Sequence, residues 1–192
     1  GIARWDGNSW QALGSGISGS VLEIVVSGTD IYVGGNFSNV DGNSNIVAIA
    51  RWDTTNSTWN ALGTALNGEV WAIAVSGTNV YAGGFFTDAG GILSADYVAR
   101  WNTSNSTWNA MGTGLNYLVR DIAISGANVF VAGNFTNCVK RWNSGNSTWN
   151  AMGTGVDGIA TGLAVIGTDI YVGGYFSSAS GVANTAGLAR WN

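Results

Sequence analysis

Arg-Trp occurs five times in this chain, at Arg4-Trp5, Arg51-Trp52, Arg100-Trp101, Arg141-Trp142 and Arg190-Trp191, in steps of 47, 49, 41 and 49 residues. A second tryptophan follows the first four pairs at Trp10, Trp59, Trp108 and Trp149, so nine of the ten tryptophans obey one period. A fixed period between about 20 and 50 residues is the mark of supersecondary units that stack, or close around an axis, because one unit alone cannot bury its apolar face.

Residues 20–63 serve as the type copy. The run 21–26 is short and β-branched, and Ser27-Gly28-Thr29-Asp30 stops it in a hairpin turn with glycine where positive φ is needed. Ile31-Tyr32-Val33-Gly34-Gly35 is a second strand, a polar loop (38–45) leads to a third at 46–52, and a turn (53–58) leads to a fourth at 59–62. We call these strands a, b, c and d. The other copies follow the same plan, and the 41-residue step comes from a b–c loop (136–138) about eight residues shorter than its siblings, a change that surface loops tolerate. Four short antiparallel strands per unit at this period predict an all-β propeller of about four four-stranded blades in a single domain, 1–192. The repeats lie near 14–63, 64–112, 113–153 and 154–192, with residues 1–13 in addition.

Ile31-Tyr32-Val33-Gly34-Gly35, then Arg51-Trp52-Asp53, then Asn56-Ser57-Thr58-Trp59 resembles the kelch motif. The variant is similar to kelch-like repeats of bacterial surface proteins and of fungal cortical polarity-marker ectodomains. The resemblance spans essentially the whole chain and implies the propeller fold, while kelch propellers range from oxidases to adaptors. Kelch-type copper oxidases use histidine ligands and a cysteine-linked tyrosine. This chain has no histidine and one cysteine, Cys138, so that site does not carry over and no metal or cofactor is expected.

Strand c occurs five times and the others four. The ring is therefore expected to close when the strand carrying Trp10 completes the blade begun at Thr161, since a propeller leaves no edge exposed. One c copy is surplus. Either the first residues lie outside the blades or the chain is a segment of a longer array.

Charged residues make up 9%, against roughly 25% in ordinary soluble domains, and the net charge of −4 argues against a nucleic-acid partner, which needs a basic stripe. No run is apolar for the roughly 18 residues of a membrane helix, so no membrane insertion is expected. Six Asn-x-Ser/Thr sequons, at Asn36, Asn56, Asn102, Asn105, Asn134 and Asn146, make glycosylation candidates. With the uncharged polar surface they lean towards an extracellular or cell-surface protein. Without histidine, and with only Glu23 and Glu69 as glutamates, no enzyme is expected.

The periodic tryptophans read as packing between blades, and the Gly-Gly pairs as close strand approach rather than phosphate loops, because no helix follows them. The arginines of the Arg-Trp pairs are expected to pair within their own blades. What symmetry leaves unexplained is where equivalent positions differ. The start of strand a reads Leu22, Trp71, Arg120 and Thr161, followed by Glu23, Ala72, Asp121 and Gly162, and the adjacent d–a loops carry Asn67, Tyr117 and Asp157. In propellers these positions lie on the loop face around the channel. Trp71, Arg120, Tyr117, Glu23, Asp121 and Asp157 are therefore the candidate ligand-binding residues, for a glycan or a protein. The alternative expectation is a structural unit whose copies assemble into a surface layer or filament.

Overall fold

The computed structural model describes residues 1–192 and contains no helix. Strands β1 (Ala3–Trp5) and β2 (Trp10–Ala12) form a hairpin of their own. Sheet A comprises β3 (Ile17–Ser27), β4 (Asp30–Val40), β5 (Ile49–Asp53) and β6 (Thr58–Ala61). Sheet B comprises β7 (Glu69–Ser76), β8 (Asn79–Phe85), β9 (Val98–Asn102) and β10 (Thr107–Ala110). Sheet C comprises β11 (Val119–Ser125), β12 (Asn128–Gly133), β13 (Val139–Asn143) and β14 (Thr148–Ala151). Sheet D has three strands, β15 (Ile159–Ile166), β16 (Asp169–Tyr175) and β17 (Leu188–Trp191). Every sheet is an antiparallel meander in chain order, and the first strand of each packs on the first two of the sheet before it: β7 on β3 and β4, β11 on β7 and β8, β15 on β11 and β12. This is a repeated, propeller-like all-β fold.

Local chemistry accounts for the repeat. Gly28, Gly77, Gly126 and Gly167, with φ of 60°, 55°, 56° and 62°, make the tight a–b turns in all four sheets. In the shortened b–c loop, Asn137 and Cys138 take φ of 70° and 58° to turn the chain within the few residues available.

The core consists of four apolar clusters, one at each junction between units. Trp52, Trp59, Trp101, Trp108 and Trp142 are buried in them and Trp149 is half-buried. Each c–d pair of indoles meets near edge-on, with centroids 5.2 Å apart for Trp52–Trp59 and 5.5 Å for Trp101–Trp108. Each strand-d indole also latches its sheet to the previous unit. Trp59 Nε1 donates to the Leu13 carbonyl (3.0 Å), Trp108 Nε1 to that of Leu62 (2.8 Å) and Trp149 Nε1 to that of Met111 (2.7 Å).

A second seam runs between strand b of one sheet and strand a of the next. A Cβ placed on Gly34 would lie 2.6 Å from Val70 Cγ1, and one on Gly83 would lie 2.5 Å from Val119 Cγ1, so glycine is required where that valine approaches. Sheet C carries Ala132 at the corresponding position, and the residue facing it from sheet D is Ala160, smaller by two methyls.

Three expectations fail at particular places. The ring-closing pairing of the Trp10 strand with the sheet begun at Thr161 is absent: β2 pairs with β1, and the outer edge of β17 is free. The nearby β1 offers the same Ala-Arg-Trp partner through a short loop, at far smaller closure entropy. The terminal indoles are exposed in consequence, at 52% for Trp5, 69% for Trp10 and 40% for Trp191. Arginine pairing is also limited. Arg51 meets Asp30 at 3.5 Å and Arg190 meets Asp169 at 3.7 Å, but in sheets B and C asparagines, Asn79 and Asn128, stand in place of the aspartates. Arg100 Nε is left buried without a partner.

Candidate functional site

Every strand a carries a β-bulge at the same point. The ladder passes from Val21 to Glu23, from Val70 to Ala72, from Val119 to Asp121 and from Ala160 to Gly162, which leaves Leu22, Trp71, Arg120 and Thr161 outside the pairing. A bulge turns the extra side chain away from the regular alternation, and bulges recur beside functional sites for that reason. Four positions whose identities differ in every copy are thus positions that the ladder does not constrain.

Two of them meet. The Arg120 guanidinium lies over the Trp71 ring, 5.1 Å from its centroid, and Arg120 Nε donates to Asn134 Oδ1 at 2.6 Å. Trp71 Nε1 donates to Glu69 Oε2 at 2.8 Å, and Asn36 Nδ2 donates to Glu69 Oε1 at 2.6 Å. A continuous polar and aromatic string, Asn36–Glu69–Trp71–Arg120–Asn134, therefore crosses sheets A, B and C. Beside it, Phe85, Tyr97 and Tyr117 form an aromatic group with centroids 5.7–6.0 Å apart, and Phe85 and Tyr117 are 48% and 47% exposed. An open groove of about 510 Å³ between sheets A and B reaches this string through Asn36 and Glu69 and is lined further by Ser38, Asn67 and Gly68.

The other candidates sit differently. Asp121 is half-buried in β11 and accepts the Leu163 amide at 2.6 Å, which ties sheet C to sheet D, and the Ile122 amide at 2.7 Å. Burial nevertheless leaves its carboxyl above the ordinary carboxylate range. Glu23 on β3 is pushed up first by burial and then by the charge of Asp121. Asp157 accepts Ser177 Oγ (2.7 Å) and the Ser177 and Ser178 amides (2.8 and 2.9 Å), which hold its carboxyl below the usual range. Asn67 and Asn116 do the same work for Thr87 and Thr136, so Asp157 is a loop latch repeated in three sheets.

Sequence reasoning did not single out Glu69, Phe85 or Tyr97, and counted Asn36 and Asn134 only as sequons. The signal was available: the residue after the glycines of strand b reads Asn36, Phe85, Asn134 and Tyr175, a second variable position on the same rim. Asn56, Asn105 and Asn146 are exposed in c–d turns and Asn102 is partly covered. Thr107 Oγ1 and Thr148 Oγ1 donate to Asn105 and Asn146 at 2.7 Å.

No protein-family profile matches the chain, and no curated protein matches it. Solved structures do. The chain is similar to the computationally designed Ika4 protein, at 16% identity and a TM-score of 0.65, with 94% of this chain and 97% of that one covered. It is also similar to the computationally designed Ika8 protein (17% identity, TM-score 0.55, 81% of this chain) and to U3-55K (12% identity, TM-score 0.56, 82% of this chain). It spans 56% and 46% of those two chains. At these identities the likeness is one of fold, and it fits the propeller-like repeat of sheets.

Proposed function

We propose that this chain is a non-catalytic binding module of an extracellular or cell-surface protein, and that its ligand is a glycan held on the loop face. The observation that carries this reading is the Asn36–Glu69–Trp71–Arg120–Asn134 string with the exposed Phe85 and Tyr117 beside it. Planar amides and a carboxylate offer paired donors and acceptors to sugar hydroxyls, and neighbouring aromatic faces cover the apolar face of a pyranose. The exposed sequons of the c–d turns lie at the opposite ends of the strands from this rim, so glycans attached there leave the groove open.

The finer fold reading that accompanies it is a four-bladed kelch-like propeller in which sheet D is the fourth blade, its outer-strand place beside β17 left unfilled by β2 of the same chain. The test of function is a glycan array probed with the native chain and with Trp71→Ala. Binding should be present and should weaken at least about tenfold in the variant. A blank array points instead to a protein partner on the same face, and binding indifferent to Trp71→Ala removes the site from the account.

A further inference from the structure

A pocket of about 290 Å³ opens between sheets C and D, lined among others by Met152, Val156, Ala179, Val182 and Trp191. The corresponding residues two junctions back along the repeat, between sheets A and B, are Leu62, Leu66, Ala89, Ile92 and Trp101, and there the space is filled by Trp108. The pocket is thus the seat of a strand-d tryptophan that sheet D lacks. Its hydrogen-bond partner is also in place. The Leu13, Leu62 and Met111 carbonyls each receive an indole N–H, whereas that of Met152 receives only the Gly155 amide. At the other end of the chain Trp10, a strand-d tryptophan by sequence and by its register with Trp5, is 69% exposed and donates to nothing in the chain.

The inner seam is complementary in the same way. Gly173 of β16 holds the position of Gly34 and Gly83, but no valine approaches it, and a Cβ there would have only the Gly187 carbonyl oxygen near it, 4.0 Å away. Ile24, on the leading face of sheet A, is 50% exposed, while its counterparts Ile73 and Ile122, which follow another sheet, are 5% and 6% exposed. Val21 and Ile24 are the same residue types that meet Gly34 as Val70 and Ile73.

We propose that copies of this chain join head to tail: β2 of one copy exchanges its partner β1 for β17 of another. Trp10 enters the vacant seat and donates to the Met152 carbonyl, while Val21 and Ile24 close on Gly173. The exchange is degenerate, because Ala3-Arg4-Trp5 and Ala189-Arg190-Trp191 present the same three side chains to β2. The occupant is a second copy because the one unseated strand-d tryptophan, Trp10, and the one vacant seat lie at opposite ends of the row of sheets A to D. The interface is heterologous, so each copy uses one donor end and one acceptor end. It rests on the four-blade reading of sheet D and is independent of what the loop face binds.

Sedimentation of the 192-residue chain over about a hundredfold range of concentration tests it. The native chain should gain mass with concentration. Trp10→Ala should weaken association about thirtyfold, as loss of a buried interface tryptophan does, and Val182→Asp at the pocket rim should do likewise. Both side chains are exposed in the single chain, so circular dichroism should show both variants folded. Mixing the two variants should restore a dimer and nothing larger, since one keeps its pocket and the other its Trp10. A native chain that stays monomeric overturns the proposal: with β17 amides protected from exchange, the ring has closed within one chain and the four-blade reading survives, and without protection both fall. Association untouched by either substitution overturns it as well.

Discussion

Ala132 shows how a single methyl is accommodated in a repeat. Strand b carries glycine at this point in sheets A and B because valine from the next sheet lies against it. In sheet C the methyl moves to the near side and is removed from the far side, as Ala132 against Ala160. Ala160→Val should therefore destabilise the chain by about 1–3 kcal/mol through overpacking, and adding Ala132→Gly should recover most of that loss. Denaturant titration of the two single variants and the double variant would measure the coupling, and simple additivity would show that the two residues do not form a seam. The sequence displayed Ala132 as a departure from Gly-Gly. Its reason was hidden, because the compensating residue lies 28 positions away and faces it only once the sheets are stacked.

At the scale of strands, the indole latch is what fixes each sheet to its predecessor. Trp108→Phe keeps an aromatic side chain but removes the donor and half of the fused ring, leaving the Leu62 carbonyl without its partner and a void at a buried junction. A loss of about 2–4 kcal/mol is expected on thermal or denaturant unfolding. Trp10→Phe should cost the lone chain nothing, since that indole donates to no acceptor within it. Strand identity and order were legible from the period-2 runs, the Gly turns and the Trp spacing, but the bounds were not: β3 and β4 run past the expected 21–26 and 31–35, and β5 starts at Ile49 rather than at 46. The bulge was not legible. The residues 21–26, 70–75 and 119–124 read as unbroken strands, and an extra unpaired residue leaves no mark in a short strand-like run, since nothing in its spacing tells a bulge from regular alternation. Glu69 was missed for a related reason: only the folded rim brings it between Asn36 and Trp71.

For the whole molecule, acidic groups of opposite character set the pH response. Asp6, Asp41, Asp53 and Asp157 are held below the ordinary carboxylate range, chiefly by hydrogen bonds from nearby amide, hydroxyl and side-chain groups. Their stabilisation is present above that range and fades as pH falls through their lowered values. Glu23 and Asp121 are held above it, so the folded state binds their protons more tightly than the unfolded chain does, and they oppose folding once ionised. Glu23→Gln should accordingly raise the melting temperature at neutral pH, with the gain shrinking as pH falls through the raised value and gone below the ordinary one. A gain that persisted in acid would mean that packing, and not charge, was responsible. Composition foretold the low charge of the molecule. It could not foretell that two of its few carboxylates on different sheets, Glu23 on β3 and Asp121 on β11, would lie near enough to repel.

The four bulges have a use in engineering. Because Leu22, Trp71, Arg120 and Thr161 stand outside the ladder, their identities can be diversified together while the hydrogen-bonded frame and the interfacial tryptophans stay untouched. A library randomised at these four codons would present a changeable palm on a fixed hand, with specificities selected independently of folding.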